Sequence, residues 1–216
     1  MKSRLLLYIS LAVDILIAIS KFIAAAVTGS SSMVAEGIHS VIDACSQLLL
    51  LWGIRTSQRV PDKVRPFGYG KELYFWSFIV SLVIFILGGC ISFYEGLMRL
   101  ERPAVNESQS WNYIVLAIAF IFTMVSLTSA LKVFNKQRGR TPFFEAITES
   151  KDPSTFIVLL GDVGDMLGIG VAFLGVFLGQ LFHNPHYDGI ASMMIGIIMI
   201  AISLLLVRES KSLLMG

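Results

Sequence analysis

Glu36, His39 and Asp43 stand at i, i+3 and i+7 in an otherwise apolar stretch, and at 100° per residue that spacing sets all three on one helical stripe. Asp162 and Asp165, three apart in a second apolar stretch, form another acidic stripe, while Asp14 and Lys21 interrupt a third. An imidazole with two or three carboxylates in a low-dielectric interior makes a poor packing core and a good divalent-cation site. Nitrogen and oxygen donors in tetrahedral array suit zinc, and with altered geometry they take cobalt, cadmium, manganese or iron(II). These donors bind metal only when deprotonated, so arrival of the metal releases protons. A histidine of ordinary pKa, about 6.5, places that competition in the physiological range. The candidate metal ligands are therefore His39, Asp43, Asp162 and Asp165, with Asp165 open between direct ligand and supporting group.

The elements that must position them are membrane helices. The chain has 216 residues, 55% hydrophobic and 15% charged, against about 25% charged in an ordinary soluble domain. The apolar residues fall into six blocks, at roughly 5–28, 32–54, 73–98, 112–134, 155–182 and 189–207. Each is long enough, at ~1.5 Å per residue, to cross a hydrocarbon core of ~30 Å. The expected fold is an all-α membrane protein, one six-helix domain over residues 1–216 with antiparallel neighbours and no separate soluble domain. Asp43 then lies about 16 Å from the nearer loop side of its span, and Asp162 and Asp165 about 10 and 15 Å from the same side of theirs, so the two stripes can meet near the midplane.

Loop charge sets the orientation. Fourteen of the 17 lysines and arginines fall on one side: Lys2 and Arg4, five between Arg55 and Lys71, five between Lys132 and Lys151, then Arg208 and Lys211. Arg99 and Arg102 lie on the other side and Lys21 is intramembrane, so both termini are expected to be cytoplasmic. The first block does not read as a signal peptide, because Asp14 and Lys21 interrupt it and no small-residue cleavage site follows. The expected location is a bacterial cytoplasmic membrane, with an organelle membrane as the alternative.

Other polar residues carry weaker signals. For Asp14 and Glu36 a helix-packing role stands beside a functional one, and Lys21 with Glu36 is the obvious ion pair across the first hairpin. His183 and His186 form an HxxH in a short outer loop and read as solvated. Cys45 is roughly 200° around the helix from Asp43 and reads as packing. Cys45 and Cys90 lack a CxxC partner, which excludes a thiolate zinc module or a disulfide framework. The absence of HExxH argues against an intramembrane metallohydrolase. The expectation is a transporter, with no enzymatic activity, no cofactor and no nucleic-acid partner; a passive cation channel or a metal-responsive scaffold is the competing class.

Thr28-Gly29-Ser30 followed by Ala35-Glu36-Gly37-Ile38-His39-Ser40-Val41-Ile42-Asp43 resembles the first-hairpin and second-helix signature of the cation diffusion facilitator family. Pro66-Phe67-Gly68-Tyr69-Gly70-Lys71-Glu72 resembles the entry to that family's third helix, and Asp188-Gly189-Ile190-Ala191-Ser192 the start of its sixth. Lys21 falls where family members carry a first-helix lysine. The resemblance covers the whole chain, and it implies a homodimeric, proton-coupled exporter of divalent transition metals, usually zinc, that works by alternating access.

The family's transport site, two residues four apart on the second helix and two on the fifth, transfers onto His39 and Asp43 for the first pair. The fifth-helix pair is normally a histidine and an aspartate. Here the preferred register makes Asp162 the aspartate and puts Val158 at the histidine position, because Lys151-Asp152-Pro153-Ser154-Thr155 and Leu159-Leu160-Gly161-Asp162 resemble the branch that includes mitochondrial zinc exporters. A register on Asp165 would put Gly161 there instead. The loop before the third helix, where many members bind a second metal, has Arg65 and Tyr69, so no metal is expected there. The chain also stops at Gly216, without the cytoplasmic domain that many members carry.

Overall fold

A computed structural model of the chain describes residues 2–28, 31–63, 65–101, 109–138, 153–184 and 186–215; the side chains of 2–6, 24–25, 27–28, 31–39, 109–112, 137–138, 153 and 213 lie outside the description. Among the described residues every regular element is helical. They are α1 (Lys2–Thr28), α2 (Ser31–Ser57), α3 (Glu72–Val83), a π-helical segment (Ile84–Cys90), α4 (Ile91–Glu101), α5 (Gln109–Arg138), α6 (Pro153–Leu181) and α7 (His186–Met215). α3, the π segment and α4 form one continuous rod. Four stretches, Glu72–Glu101, Tyr113–Lys136, Ser154–Phe182 and His186–Ser212, are long and apolar enough to cross a bilayer. α1 and α2, 27 residues each, reach about 40 Å, more than a hydrocarbon core requires. The chain is an all-α, multi-pass membrane protein.

Its side chains are sorted as lipid demands. Large apolar groups such as Ile15, Ile19, Ile23, Trp52, Ile121, Leu174 and Leu204 face outward, while Ser10, Ser40, Ser46, Ser77, Ser81, Thr123, Ser126 and Ser203 are buried. In lipid, apolar burial gives no drive for helix association, so small and hydroxylic residues make the interfaces. Several of these serines are satisfied within their own helix: Ser46 donates to the Ile42 carbonyl at 3.0 Å, and Ser77 and Ser81 donate to Leu73 and Ser77 carbonyls at 2.8 Å.

Glycine sets the closest approach. A Cβ on Gly96 of α4 would lie 2.6 Å from the Met193 backbone nitrogen of α7, and one on Gly196 of α7 would lie 2.6 Å from that of Phe93. Backbone meets backbone here, which explains how α4 and the π segment lie flush on α7. α1 packs on α2 and α5, α2 on α3, and α6 between α5 and α7.

The helices overrun the apolar blocks. α7 continues to Met215 instead of stopping near residue 207, because Ser210 stays buried beyond the point where charge returns at Arg208. Leu7, Leu50, Ile54, Val80, Phe134, Ile157, Val158 and Leu206 belong to one apolar cluster. It occupies the end of the bundle where α1 begins, α2 and α5 end, and α6 starts.

Candidate metal-transport site

Immediately beyond that apolar cluster lies a cavity of ≈ 40 Å³ whose walls include Asp14, Asp43, Gln47, Asp162 and Asp165. About 10–15 Å³ of such space holds one water, so there is room for an ion with some of its hydration. The carboxylates come from three helices, α1, α2 and α6, each near the middle of its helix. Three of the four candidate ligands, Asp43, Asp162 and Asp165, are thus brought to one place. His39 lies on the backbone of α2, one turn before Asp43, and its side chain is outside the described residues, as is that of Glu36.

Helical periodicity explains why α6 offers two aspartates. Val158, Gly161, Asp162 and Asp165, at i, i+3, i+4 and i+7, all line the cavity. Both fifth-helix registers therefore face it, and in either one the position of the family's histidine is an apolar or empty wall, Val158 or Gly161. Asp162 is buried, and its Oδ2 accepts a hydrogen bond from Ser126 Oγ of α5 at 2.7 Å. Ser126 Oγ in turn lies 3.4 Å from Ser10 Oγ of α1. Asp14 senses the charges of Asp43, Asp165 and Asp162 across the cavity, and Asp162 those of Asp165 and Asp43. The acids ring the space without converging: among the described residues no three histidine, cysteine or acidic side chains are close enough to hold one ion together. A cation entering the ring would relieve mutual repulsion in a low-dielectric setting.

Two features, Gln47 and the π turn, escaped the sequence reading, while Asp14 is open there between packing and function. Gln47 is one turn beyond Asp43 on the same stripe, and its Nε2 donates to Ser10 Oγ at 3.0 Å; the i+4 spacing was the available signal. Asp14 proves to be a cavity residue. The π-helical turn supplies Ile84 and Gly88 to the wall; such wide turns are enriched at functional sites, and the Gly88-Gly89 pair is its trace in the sequence.

Other polar groups find partners away from the cavity. Lys21, buried, donates to Ser40 Oγ at 2.9 Å; its expected partner Glu36 lies outside the described side chains. His183 and His186 are exposed, as is Cys45. In the loop before α3, Tyr69 donates to Asp62 Oδ2 at 2.5 Å, the Arg65 backbone N–H to Asp62 Oδ1 at 2.7 Å, and the Arg65 guanidinium pairs with Glu72 while lying 4.7 Å over the Tyr69 ring. Asp62 and Glu72 are thus engaged in tying this loop.

A bundle of membrane helices with carboxylates from three of them around a central cavity is the frame of an ion carrier. The family described as the cation efflux transmembrane domain matches residues 7–215, and the chain belongs to it. It is 35% identical over 198 residues to a protein of Mus musculus named proton-coupled zinc antiporter SLC30A9, mitochondrial, which covers 91% of this chain and 35% of that one. It is 30% identical over 193 residues to metal tolerance protein C4 of Arabidopsis thaliana, with 88% and 42% covered. With the manganese efflux system protein MneP of Bacillus subtilis the figures are 26% over 219 residues, 99% and 69%. The chain spans about a third of the length of the zinc antiporters it matches.

Proposed function

We propose that this chain is a proton-coupled antiporter that moves divalent transition-metal cations, zinc foremost, out of the cytoplasm by alternating access around the acidic cavity. The observation that carries the proposal is the lining of one cavity by Asp43, Asp162 and Asp165, from two helices, in a chain of the cation efflux family. His39, Asp43, Asp162 and Asp165 bind the metal as cargo, and Ser126 orients Asp162. Metal must displace protons from these groups to bind, and protons returning from the far side displace the metal. The names of the zinc-antiporter and manganese-efflux relatives support both the cargo class and the exchange.

A carrier is favoured over a passive channel by the apolar cluster. Leu50, Val80, Ile157 and Val158 belong both to that cluster and to the cavity wall. With loop charge placing those helix ends in the cytoplasm, dry packed side chains separate the site from that side, and metal passes only when the helices move. Six spans, cytoplasmic termini, a single domain and a homodimer complete the proposal. Relatives named mitochondrial favour an organelle membrane as a second reading beside the bacterial cytoplasmic membrane.

The test is zinc uptake into proteoliposomes carrying an internal zinc-sensitive dye. The wild type should show saturable uptake driven by an acidic interior, and Asp43→Ala with Asp162→Ala should abolish it; uptake that survives the pair of substitutions refutes the proposal.

A further inference from the structure

The cations that close three of the helices have no part in the mechanism above. On α2, Leu48, Trp52, Arg55 and Arg59 stand at i, i+4, i+7 and i+11. Arg59 lies in the turn that follows the helix, where its backbone N–H donates to the Thr56 carbonyl at 3.1 Å. On α5 the same spacing runs through Ile121, Val125, Thr128 and Lys132, with Lys136 one turn on; on α7 it runs through Ile197, Ala201, Leu204 and Arg208, with Lys211 next. At 100° per residue each series stays within about 80° of arc, and every member is exposed. The stripe that each helix turns outward to acyl chains therefore becomes basic where its apolar block ends. All three helices end on the side of the bundle that holds the apolar cluster, which includes Leu206 near the end of α7. The helices pack in a ring, α1, α2, α3, α7, α6 and α5, each against the next, so the three basic stripes belong to alternate members and surround the bundle as a collar.

We infer that Arg55, Arg59, Lys132, Lys136, Arg208 and Lys211 bind the headgroups of anionic lipids in the leaflet on that side. This does not depend on the transport reading. Complementing the helix dipole requires only that a cation lie in the last turn, on any face; these cations continue the lipid-facing stripe instead. A long basic side chain so placed lays its methylenes along the acyl region and lifts its charge to headgroup depth. None of the six side chains makes a hydrogen bond or ion pair among the described residues. The acids Asp62 and Glu72 of the adjoining loop are engaged by Tyr69 and Arg65, so the charge of the collar is left for a partner of opposite sign. Trp52, exposed one turn before Arg55, marks the depth of the interface, where amphipathic rings settle. Anionic lipid is the partner present at that depth around the whole perimeter, and each lysine or arginine near such a surface adds to its attraction.

The experiment is electron paramagnetic resonance on the full chain in phosphatidylcholine vesicles carrying a trace of spin-labelled phosphatidylglycerol or spin-labelled phosphatidylcholine, which reads the relative association of each lipid with the protein. The wild type should prefer phosphatidylglycerol, and the preference should fall as ionic strength rises. Arg55→Gln with Arg59→Gln, Lys132→Gln with Lys136→Gln, and Arg208→Gln with Lys211→Gln should each lower it, and the three pairs combined should lower it about fivefold or more. Should the combined variant not fold, the separate pairs carry the test, and Arg55→Lys with Arg59→Lys should keep the wild-type preference. Equal association of the two lipids with the wild type, or a preference that none of the pairs changes, overturns the inference. So does a second outcome: pairs that change the oligomeric state measured by light scattering while lipid preference stays constant, which would assign the stripes to a second copy of the chain.

Discussion

Ser126 of α5 donates a 2.7 Å hydrogen bond to Asp162 of α6, so one oxygen of a buried carboxylate is held in place while the other remains available to the cavity. Removing that donor should loosen the ligand without removing it. Ser126→Ala is expected to reduce zinc affinity about tenfold with the fold intact, measured by calorimetry on the detergent-solubilised protein. An unchanged affinity would mean that Asp162 does not depend on Ser126 for its position.

The contact between α4 and α7 rests on missing side chains. Because a Cβ at Gly96 meets backbone, which cannot swing aside, Gly96→Ala should lower stability by about 1–3 kcal/mol. Gly170 of α6 is exposed with open space around it, and Gly170→Ala should be neutral or raise stability by about 0.4–1 kcal/mol. Thermal melting in detergent distinguishes them; a Gly96→Ala variant melting at or above the wild-type midpoint would contradict the packing described.

The loop before α3 should show itself in alkali. The Asp62 carboxylate accepting the Tyr69 hydroxyl proton raises the Tyr69 pKa above its ordinary 10.0. A raised tyrosine pKa means the folded loop favours the protonated phenol; this contribution to loop order is fully present below about pH 10 and fades as pH climbs through the folded-state value. Subtracting the ultraviolet titration of Tyr69→Phe from that of the wild type isolates this group. Its midpoint should lie above that of an ordinary tyrosine and return to it in Asp62→Asn.

Leu50 and Ile157 sit where the apolar cluster meets the cavity. Shortening both to alanine should open a leak past the packed end of the bundle. Wild-type protein in a planar bilayer is expected to pass no steady current with zinc present, and the Leu50→Ala, Ile157→Ala variant a measurable one. A steady wild-type conductance would favour the channel class instead.

Much of the cavity's acidic lining was legible because a helix repeats: Asp162 and Asp165 share a face by spacing, and they line one cavity with Asp43. Spacing also shows that Val158 and Gly161 must face wherever Asp162 and Asp165 face. Asp14 shares a stripe of α1 with Ser10 and Lys21, at i, i+4 and i+11, so spacing turns it inward, but that it reaches this cavity is not in the pattern of α1 alone; packing against α2 and α5 decides it. The π turn at Ile84–Cys90 hides for a similar reason, since a continuous apolar run has the same composition whether a turn holds 3.6 residues or more.

The most direct measurement is metal-driven proton movement in proteoliposomes, comparing wild type with Asp43→Ala and Asp162→Ala. The account predicts that zinc added outside the vesicles drives a proton flux in the opposite direction, saturating with zinc and lost in either variant. Zinc entry unaccompanied by proton movement, or proton flux unchanged by both substitutions, would contradict it.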